Sequence, residues 1–206
     1  MATTILLCRN GATDWTRDGR LAGRREIGLS EEGRKQAAAL AERLETIEIA
    51  EILTSPLPRA FETAQLIADS HALEAARDRR LTDLHAGRWE GQKLGEIAAS
   101  AEYKKFLASP LAESIPDGEK LTDARDRMVA SIDQALADNA LGANLVIVSH
   151  AGPLRILLAH YLGMDLATYH RLSLAHGSVS ALRFEAERGV PRVLALNWTS
   201  SLSALE

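Results

Sequence analysis

Three residues of this chain stand where a side chain could grip an anion: Arg9, Arg59 and His150. A short apolar run, Ile5 to Cys8, reads as a buried strand that stops abruptly at Arg9. Gly11 then permits a tight turn, with backbone N–H groups free to point at a ligand. Arg59 follows Ser55-Pro56-Leu57-Pro58, whose prolines end a strand and prepare a helix start. His150 directly follows Asn144-Leu145-Val146-Ile147-Val148-Ser149, the most hydrophobic strand candidate. The chemistry these types suit is the handling of a phosphate ester. The planar guanidinium makes paired, charge-assisted hydrogen bonds to phosphate oxygens. Displacement at phosphorus needs up to two negative charges neutralised and three equatorial oxygens held. Any one of the three alone reads as a surface arginine or a satisfied histidine. Three at strand ends do not.

The elements that must position them follow from periodicity. After the strand at 3–8 and a polar, glycine-bearing loop, Ser30 is a good N-cap for a helix with Glu31 and Glu32 in its first turn. Ala37, Leu40, Ala41 and Leu44 mark its buried face. A strand at 49–53 and a helix from Arg59 to Ala68 follow, and this strand-helix-strand-helix order favours a parallel sheet. In such a sheet Arg9, Arg59 and His150 converge on the C-terminal edge, where open α/β sheets bind ligands. Residues 81–91 read as a structured loop, 93–108 as one or two short helices, and 90–118 as an insertion folding over that edge. Leu121, Ala124, Met128, Ile132, Ala135 and Leu136 mark a long amphipathic helix. A central strand at 144–149, a helix at 153–162, and an edge hairpin of strands 178–184 and 191–198 joined through Gly189 complete the chain. The expected fold is α/β: a single domain, 1–206, with a three-layer α/β/α sandwich and a mainly parallel sheet.

Composition narrows the function classes. The 206 residues, 46% hydrophobic and 25% charged, suit one globular domain with a sizeable core. A net charge of −4 argues against nucleic acid as partner, although clustered arginines could still form a positive pocket. The single cysteine, Cys8, excludes an intrachain disulfide, fits a reducing cytoplasm, and reads as a core residue. No stretch reaches membrane-spanning length, and the first residues lack the basic region of a signal peptide, so a cytoplasmic location is expected. His71, His85, His160, His170 and His176 show no metal-ligand spacing and read as surface or packing residues.

Four separated motifs, taken in order, carry a family resemblance. Arg9-Asn10-Gly11-Ala12-Thr13, Ser55-Pro56-Leu57-Pro58-Arg59-Ala60, Leu81-Thr82-Asp83 with Gly87-Arg88-Trp89-Glu90-Gly91, and Val148-Ser149-His150-Ala151-Gly152 together resemble the histidine phosphatase (phosphoglycerate mutase-like) superfamily, branch 1, and within it the short broad-specificity bacterial phosphatases. The resemblance implies a phosphomonoester hydrolase acting on a small phosphorylated metabolite, with no metal or organic cofactor and a possible homodimer. It assigns the phosphate to Arg9, Arg59, His150, Thr16 and Ala151. Thr16 and Ala22 stand where relatives often have Asn and Gln, which suggests a roomier mouth. Thr13 and Ser178 could add hydroxyls or merely stabilise turns. Trp89, Tyr103 and Phe106 could line the substrate mouth, but packing of the insertion is the better reading. Asp83 takes the place of a general acid that is usually glutamate. To hold a proton near neutrality it needs a negative neighbour such as a dianionic phosphate.

The departure is at position 10. There the family has a nucleophilic histidine that becomes a phosphohistidine. The lone pair of an amide nitrogen is delocalised, so Asn10 cannot attack phosphorus, though it can preserve a hydrogen bond made by the near ring nitrogen. The chain as written is therefore expected to bind without turnover. An engineered His-to-Asn change and a natural phosphate-binding relative both fit. Retention of Arg9, Arg59, Asp83 and His150 favours the former. A phosphoglycerate-type mutase is the alternative enzyme, disfavoured by a short insertion whose main cations are Lys93, Lys104 and Lys105.

Overall fold

The structure, a computed structural model, describes residues 2–185 and 190–199. Six strands form one sheet: β1 (Ala2–Arg9), β2 (Glu51–Thr54), β3 (Ala75–Arg77), β4 (Asn144–Ser149), β5 (Val179–Glu185) and β6 (Arg192–Trp198). Their order is β3-β2-β4-β1-β5-β6. The first four strands are mutually parallel, β5 is antiparallel to β1, and β6 is antiparallel to β5. β4, the most apolar run, sits inside the parallel half between β2 and β1, as a strand buried on both faces should.

Helices α1 (Asp14–Arg17), α2 (Glu31–Leu44), α3 (Pro58–His71), α4 (Leu94–Ala99), α5 (Ala101–Ala108), α6 (Leu121–Asp138) and α7 (Ala151–Tyr161) surround the sheet. Side-chain alternation along the strands decides the layers. Leu6, Cys8, Val146 and Val148 pack with Leu40 and Leu44 of α2 and with Ala64 and Ile67 of α3. Their neighbours Ile5, Leu7, Leu145 and Ile147 take the opposite face, against Met128 and Ile132 of α6 and Leu154 and Leu157 of α7. The result is a three-layer α/β/α sandwich. A third apolar cluster, with Trp89, Ile97, Phe106 and Ile115, is seated on Ile156 of α7 and carries α4 and α5. No helix among the described residues is long and apolar enough to cross a membrane.

Register places the site. Arg9 is level with Ser149 across β1 and β4, and Thr54 is level with Val148 across β2 and β4. Asn10, Ser55 and His150 therefore leave the sheet at one edge.

The structure corrects several boundaries. Asp14–Arg17 is a helical turn rather than loop, begun by a capping box between Thr13 and Thr16. The second strand begins at Glu51, not Ile49. The helix after His150 begins at Ala151, two residues earlier than expected, so Pro153 sits in its first turn. β3 was not expected at all: three residues, Ala75-Ala76-Arg77, show no alternation, and only pairing with β2 makes them a strand. The expected joint at Gly189 lies outside the described residues.

Candidate active site

The C-terminal edge of the parallel strands opens into a cavity of about 490 Å³. Arg9, Asn10, Thr16, Arg59, Asp83, His150 and Ala151 all line it, and so do Thr13 and Ala22. Every residue given a catalytic or phosphate-binding assignment from sequence thus lines one cavity. Arg9 ends β1 and Arg59 lies in the first turn of α3. His150 is the N-cap residue of α7, so the helix N-terminus with its positive dipole end faces the same space.

Asn10 is buried and donates from Nδ2 to the Gly11 carbonyl at 2.7 Å. Gly11 does not serve the turn as expected. Its φ is not positive, its N–H donates to Thr63 Oγ1 at 3.2 Å, and the Ala12 N–H donates to Gln36 Oε1 at 2.9 Å. These N–H groups anchor the loop and are not free for a ligand. Glycine is required because a Cβ at position 11 would overlap the Gly33 carbonyl of α2. The Thr16 hydroxyl is similarly engaged, accepting from the Thr13 N–H at 3.1 Å. Ser178 is buried and does not line the cavity.

Arg59, only 3% exposed, is fixed by three acceptors. It donates to the Arg25 carbonyl at 2.9 Å, the Gly23 carbonyl at 2.7 Å and Asp83 Oδ2 at 2.8 Å. Glu90, from the Gly87–Gly91 motif, ties the same loops together. Its Oε1 accepts from the N–H groups of Arg24 and Ala86, and its Oε2 pairs with Arg25 at 3.3 Å. The backbone of the Asp83 segment is held from below: Arg127 donates to the Thr82 carbonyl at 2.6 Å while pairing with Glu119 at 2.8 Å. That Glu90 and Glu119 brace the site could not be read from motifs, because their partners lie on distant loops.

His150 is 2% exposed. The Ser55 hydroxyl, which accepts from the Leu57 N–H, lies 2.8 Å from Nε2. With that hydroxyl donating to Nε2, the proton of a neutral ring belongs to Nδ1, which is buried without a hydrogen-bond partner. Nδ1 faces Asp83 Oδ2 at 3.7 Å. Burial, then the charges of Arg59, Arg127 and Arg9, push the imidazole well below its ordinary range. The ligand-free ring is neutral and its contact with Asp83 is not an ion pair.

His176, read from sequence as a packing residue, belongs to the site. Its Nδ1 donates to the Asn10 carbonyl at 3.1 Å, which fixes the tautomer and leaves Nε2 to accept from Arg9 at 2.7 Å. Arg9 also donates to the Leu174 carbonyl. Burial and the Arg9 charge lower His176 to about 4. Arg9 itself is brought down to about 10 by burial and by the charge of Arg155. Trp89, Tyr103 and Phe106 pack edge-on or tilted against one another, as expected, and also line the cavity. Four arginines, Arg9, Arg20, Arg59 and Arg155, line it against one carboxylate, Asp83. Among the described residues no group of His, Cys, Asp or Glu could hold a metal ion.

An electropositive cavity thus lies at the carboxyl ends of the parallel strands, lined by Arg9, Asn10, Arg59 and His150. The family model for the histidine phosphatase superfamily (branch 1) matches residues 5–199. The chain belongs to that superfamily. Among curated relatives, phosphoserine phosphatase 1 of Hydrogenobacter thermophilus is 28% identical over 96% of this chain and 93% of its own. A probable phosphoglycerate mutase GpmB of Yersinia pestis is 32% identical over 88% and 85%. Among solved histidine phosphatase structures, the mycobacterial glucosyl-3-phosphoglycerate phosphatase superposes with a TM-score of 0.85 at 27% identity, covering 97% of this chain and 100% of that one. A histidine mutant of phosphoserine phosphatase from Entamoeba histolytica, in complex with phosphoserine, gives 0.84 at 26% over 97% and 99%. The α/β sandwich is thus the histidine phosphatase fold.

Proposed function

We propose that this cavity is a phosphomonoester site, and that the chain as written binds its ligand without turning it over. The observation that carries the reading is the convergence of Arg9, Arg59 and His150 around Asn10 with Asp83 beside them. Arg9 and Arg59 bind the phosphoryl oxygens through guanidinium forks, His150 offers its unpartnered Nδ1–H, and Ala151 contributes from the first position of α7. Thr16 shapes the wall near the phosphate. With histidine at position 10, Nδ1–H takes over the bond that Asn10 Nδ2 now makes to Gly11, and Nε2 is the nucleophile. The Nε2–P bond forms as the P–O bond to the alcohol breaks, and Asp83 gives its proton to the leaving oxygen. Water then attacks phosphorus, its proton passes to Asp83, and the free imidazole and inorganic phosphate are regenerated. A bound dianion beside Asp83 favours the protonated carboxyl that the first step needs. Asn10 supplies no lone pair, so the sequence stops at binding. The Entamoeba mutant holding phosphoserine is a parallel case of a ligand retained after loss of a histidine.

The test compares this chain with Asn10→His for phosphate release from 4-nitrophenyl phosphate and a panel of phosphorylated metabolites. The parent is expected to be inert, and the variant faster by about three or more orders of magnitude. An inert variant that still binds phosphate esters selectively would make the site a binding module instead. The likeness to a probable mutase supplies the second reading. Phosphate release from a phosphoglycerate supports hydrolysis, whereas positional isomer without free phosphate supports the mutase.

A further inference from the structure

An aspartate that must hand a proton to a leaving oxygen has little reach of its own. Two rotatable bonds separate its carboxyl from the main chain, so the place of its Cα decides where the proton can go. Asp83 stands on a stretch that cannot fix itself, since residues 82–86 belong to no helix or strand. Side chains from other segments supply the hold that a helix or sheet would give.

One of them is Arg24, in the loop between α1 and α2. Its Nε donates to the Asp83 carbonyl at 3.2 Å, and its Nη2 donates to Glu119 Oε2 at 3.1 Å. Its own N–H donates to Glu90 Oε1 at 3.0 Å. Glu90 and Glu119 flank the segment that bears α4 and α5, so one residue joins both ends of the cover to the root of Asp83. Glu119 is itself held firmly. It accepts from Arg127 Nη2 at 2.8 Å and Nε at 3.1 Å, and from the His85 N–H at 3.0 Å. Arg127 Nη2 reaches the Asp83 carbonyl only at 3.4 Å, so Arg24 makes the shorter bond to it. Arg24 does not line the cavity, whereas the Asp83 carboxyl does, 2.8 Å from Arg59 Nη2 and 3.7 Å from His150 Nδ1. The carbonyls of Gly23 and Arg25, on either side of Arg24, hold Arg59. Those main-chain bonds remain whatever side chain stands at position 24.

We propose that Arg24 is a positioning residue for Asp83: by tying the Asp83 carbonyl to Glu119 it sets the carboxyl where it can protonate the leaving oxygen. The inference rests on the reading of Asp83 as the acid of a phosphomonoester site. It adds the residue that keeps this acid in place and links it to the cover. A misplacement of about 1 Å can cost about a hundredfold in rate. Arg127 retains part of the hold, so loss of the Arg24 side chain is expected to cost about tenfold. That side chain is 41% exposed, and its removal opens no cavity in the core.

The test uses the Asn10→His protein and two esters that differ in their need for a proton. Phenyl phosphate loses a poor leaving group that must be protonated, whereas 2,4-dinitrophenyl phosphate loses a phenolate that departs without a proton. The quantity read is kcat/KM, which extends only to departure of the alcohol, for each ester with Arg24→Met, Arg24→Lys or Asp83→Asn added. Arg24→Met keeps the length of the side chain and removes its donors. It is expected to lower kcat/KM about tenfold on phenyl phosphate and less than about twofold on the dinitrophenyl ester. Asp83→Asn should act with the same selectivity and cost about a hundredfold or more on phenyl phosphate. Arg24→Lys, which keeps the charge and one donor group, should recover part of the loss. Should Arg24→Met fail to fold, Arg24→Gln is read in the same way. Equal losses on the two esters, as a purely structural role would give, overturn the proposal, and so does an Arg24→Met protein that loses nothing. An unselective Asp83→Asn overturns it too, by removing the acid that Arg24 is said to place. An Asn10→His protein inert on both esters overturns the phosphatase reading and the acid role with it, whereas an active one with an unselective Arg24→Met overturns the positioning role alone.

Discussion

His176 shows how far one side chain can decide the state of the site. It donates to the Asn10 carbonyl and accepts from Arg9, so only the neutral ring satisfies both partners. Protonation would turn Nε2 into a donor facing a guanidinium. The folded value of about 4 lies below the ordinary 6.5, so the unfolded chain takes up a proton that the folded chain refuses. Stability from this group is fully present above about pH 6.5 and declines as pH falls toward 4. Between pH 7 and pH 5 the expected loss is about 2 kcal/mol. His150, lowered well below its ordinary range by burial and three arginines, acts with the same sign. Urea denaturation at the two pH values measures the combined slope. His176→Asn, which keeps a donor and an acceptor but cannot titrate, should remove the His176 share. An unchanged slope in that variant would show that the ring protonates without cost.

The loop bearing Asn10 is held by α2, and the closeness of that contact depends on glycine. A Cβ at Gly33 would overlap the Ala12 carbonyl, just as one at Gly11 would overlap the Gly33 carbonyl. Ser30 adds to the clamp by capping α2 through the Gly33 N–H and donating its hydroxyl to the Ala12 carbonyl. Gly33→Ala has ordinary helix propensity in its favour, yet it must push the Arg9–Thr13 loop off the helix. The expected result is a loss of about 2–4 kcal/mol in unfolding free energy together with weaker binding of inorganic phosphate. Equal stability and affinity would show that the clamp yields freely. This element also marks what could be read in advance. Ser30, the acidic first turn and the Ala37–Leu44 stripe announced α2, as Arg9, Arg59 and His150 announced the sheet edge, because local pattern alone determines those features. The need for glycine at position 33 depends on a backbone some twenty positions earlier. His176 depends on Arg9, which lies on the neighbouring strand but 167 positions earlier in the chain, and β3 exists only as the partner of β2. No periodicity carries such information. The hydrogen bonds closed by the Gly11 and Ala12 N–H groups are hidden for the same reason: a glycine after a strand looks like a turn until the helix packed against it is known.

At the scale of the molecule, a protein of net charge −4 concentrates four arginines around a cavity with one carboxylate. The low-dielectric walls strengthen that field, and beside burial the arginine charges lower Arg9 and the two histidines among them. The protein therefore keeps a cationic centre inside a sandwich whose sheet carries an apolar cluster on each face. An anion that enters relieves this repulsion in the folded state only, so binding must appear as stability. Inorganic phosphate at about one hundred times its dissociation constant should add about 2.7 kcal/mol, equivalent to a rise of about 5–10 °C in the unfolding temperature for a domain of this size. Chloride at matched ionic strength should give little, because screening does not supply oxygens that the forks of Arg9 and Arg59 can accept. Asn10→Asp sets a carboxylate where the phosphate would lie and should lose the phosphate-induced rise. A rise that chloride reproduces, or one that survives Asn10→Asp, would mean that phosphate acts on the surface and that the cationic cavity is not its receptor. A rise confined to phosphate and lost with the added carboxylate would locate the binding energy at the edge of the parallel strands, independently of any turnover.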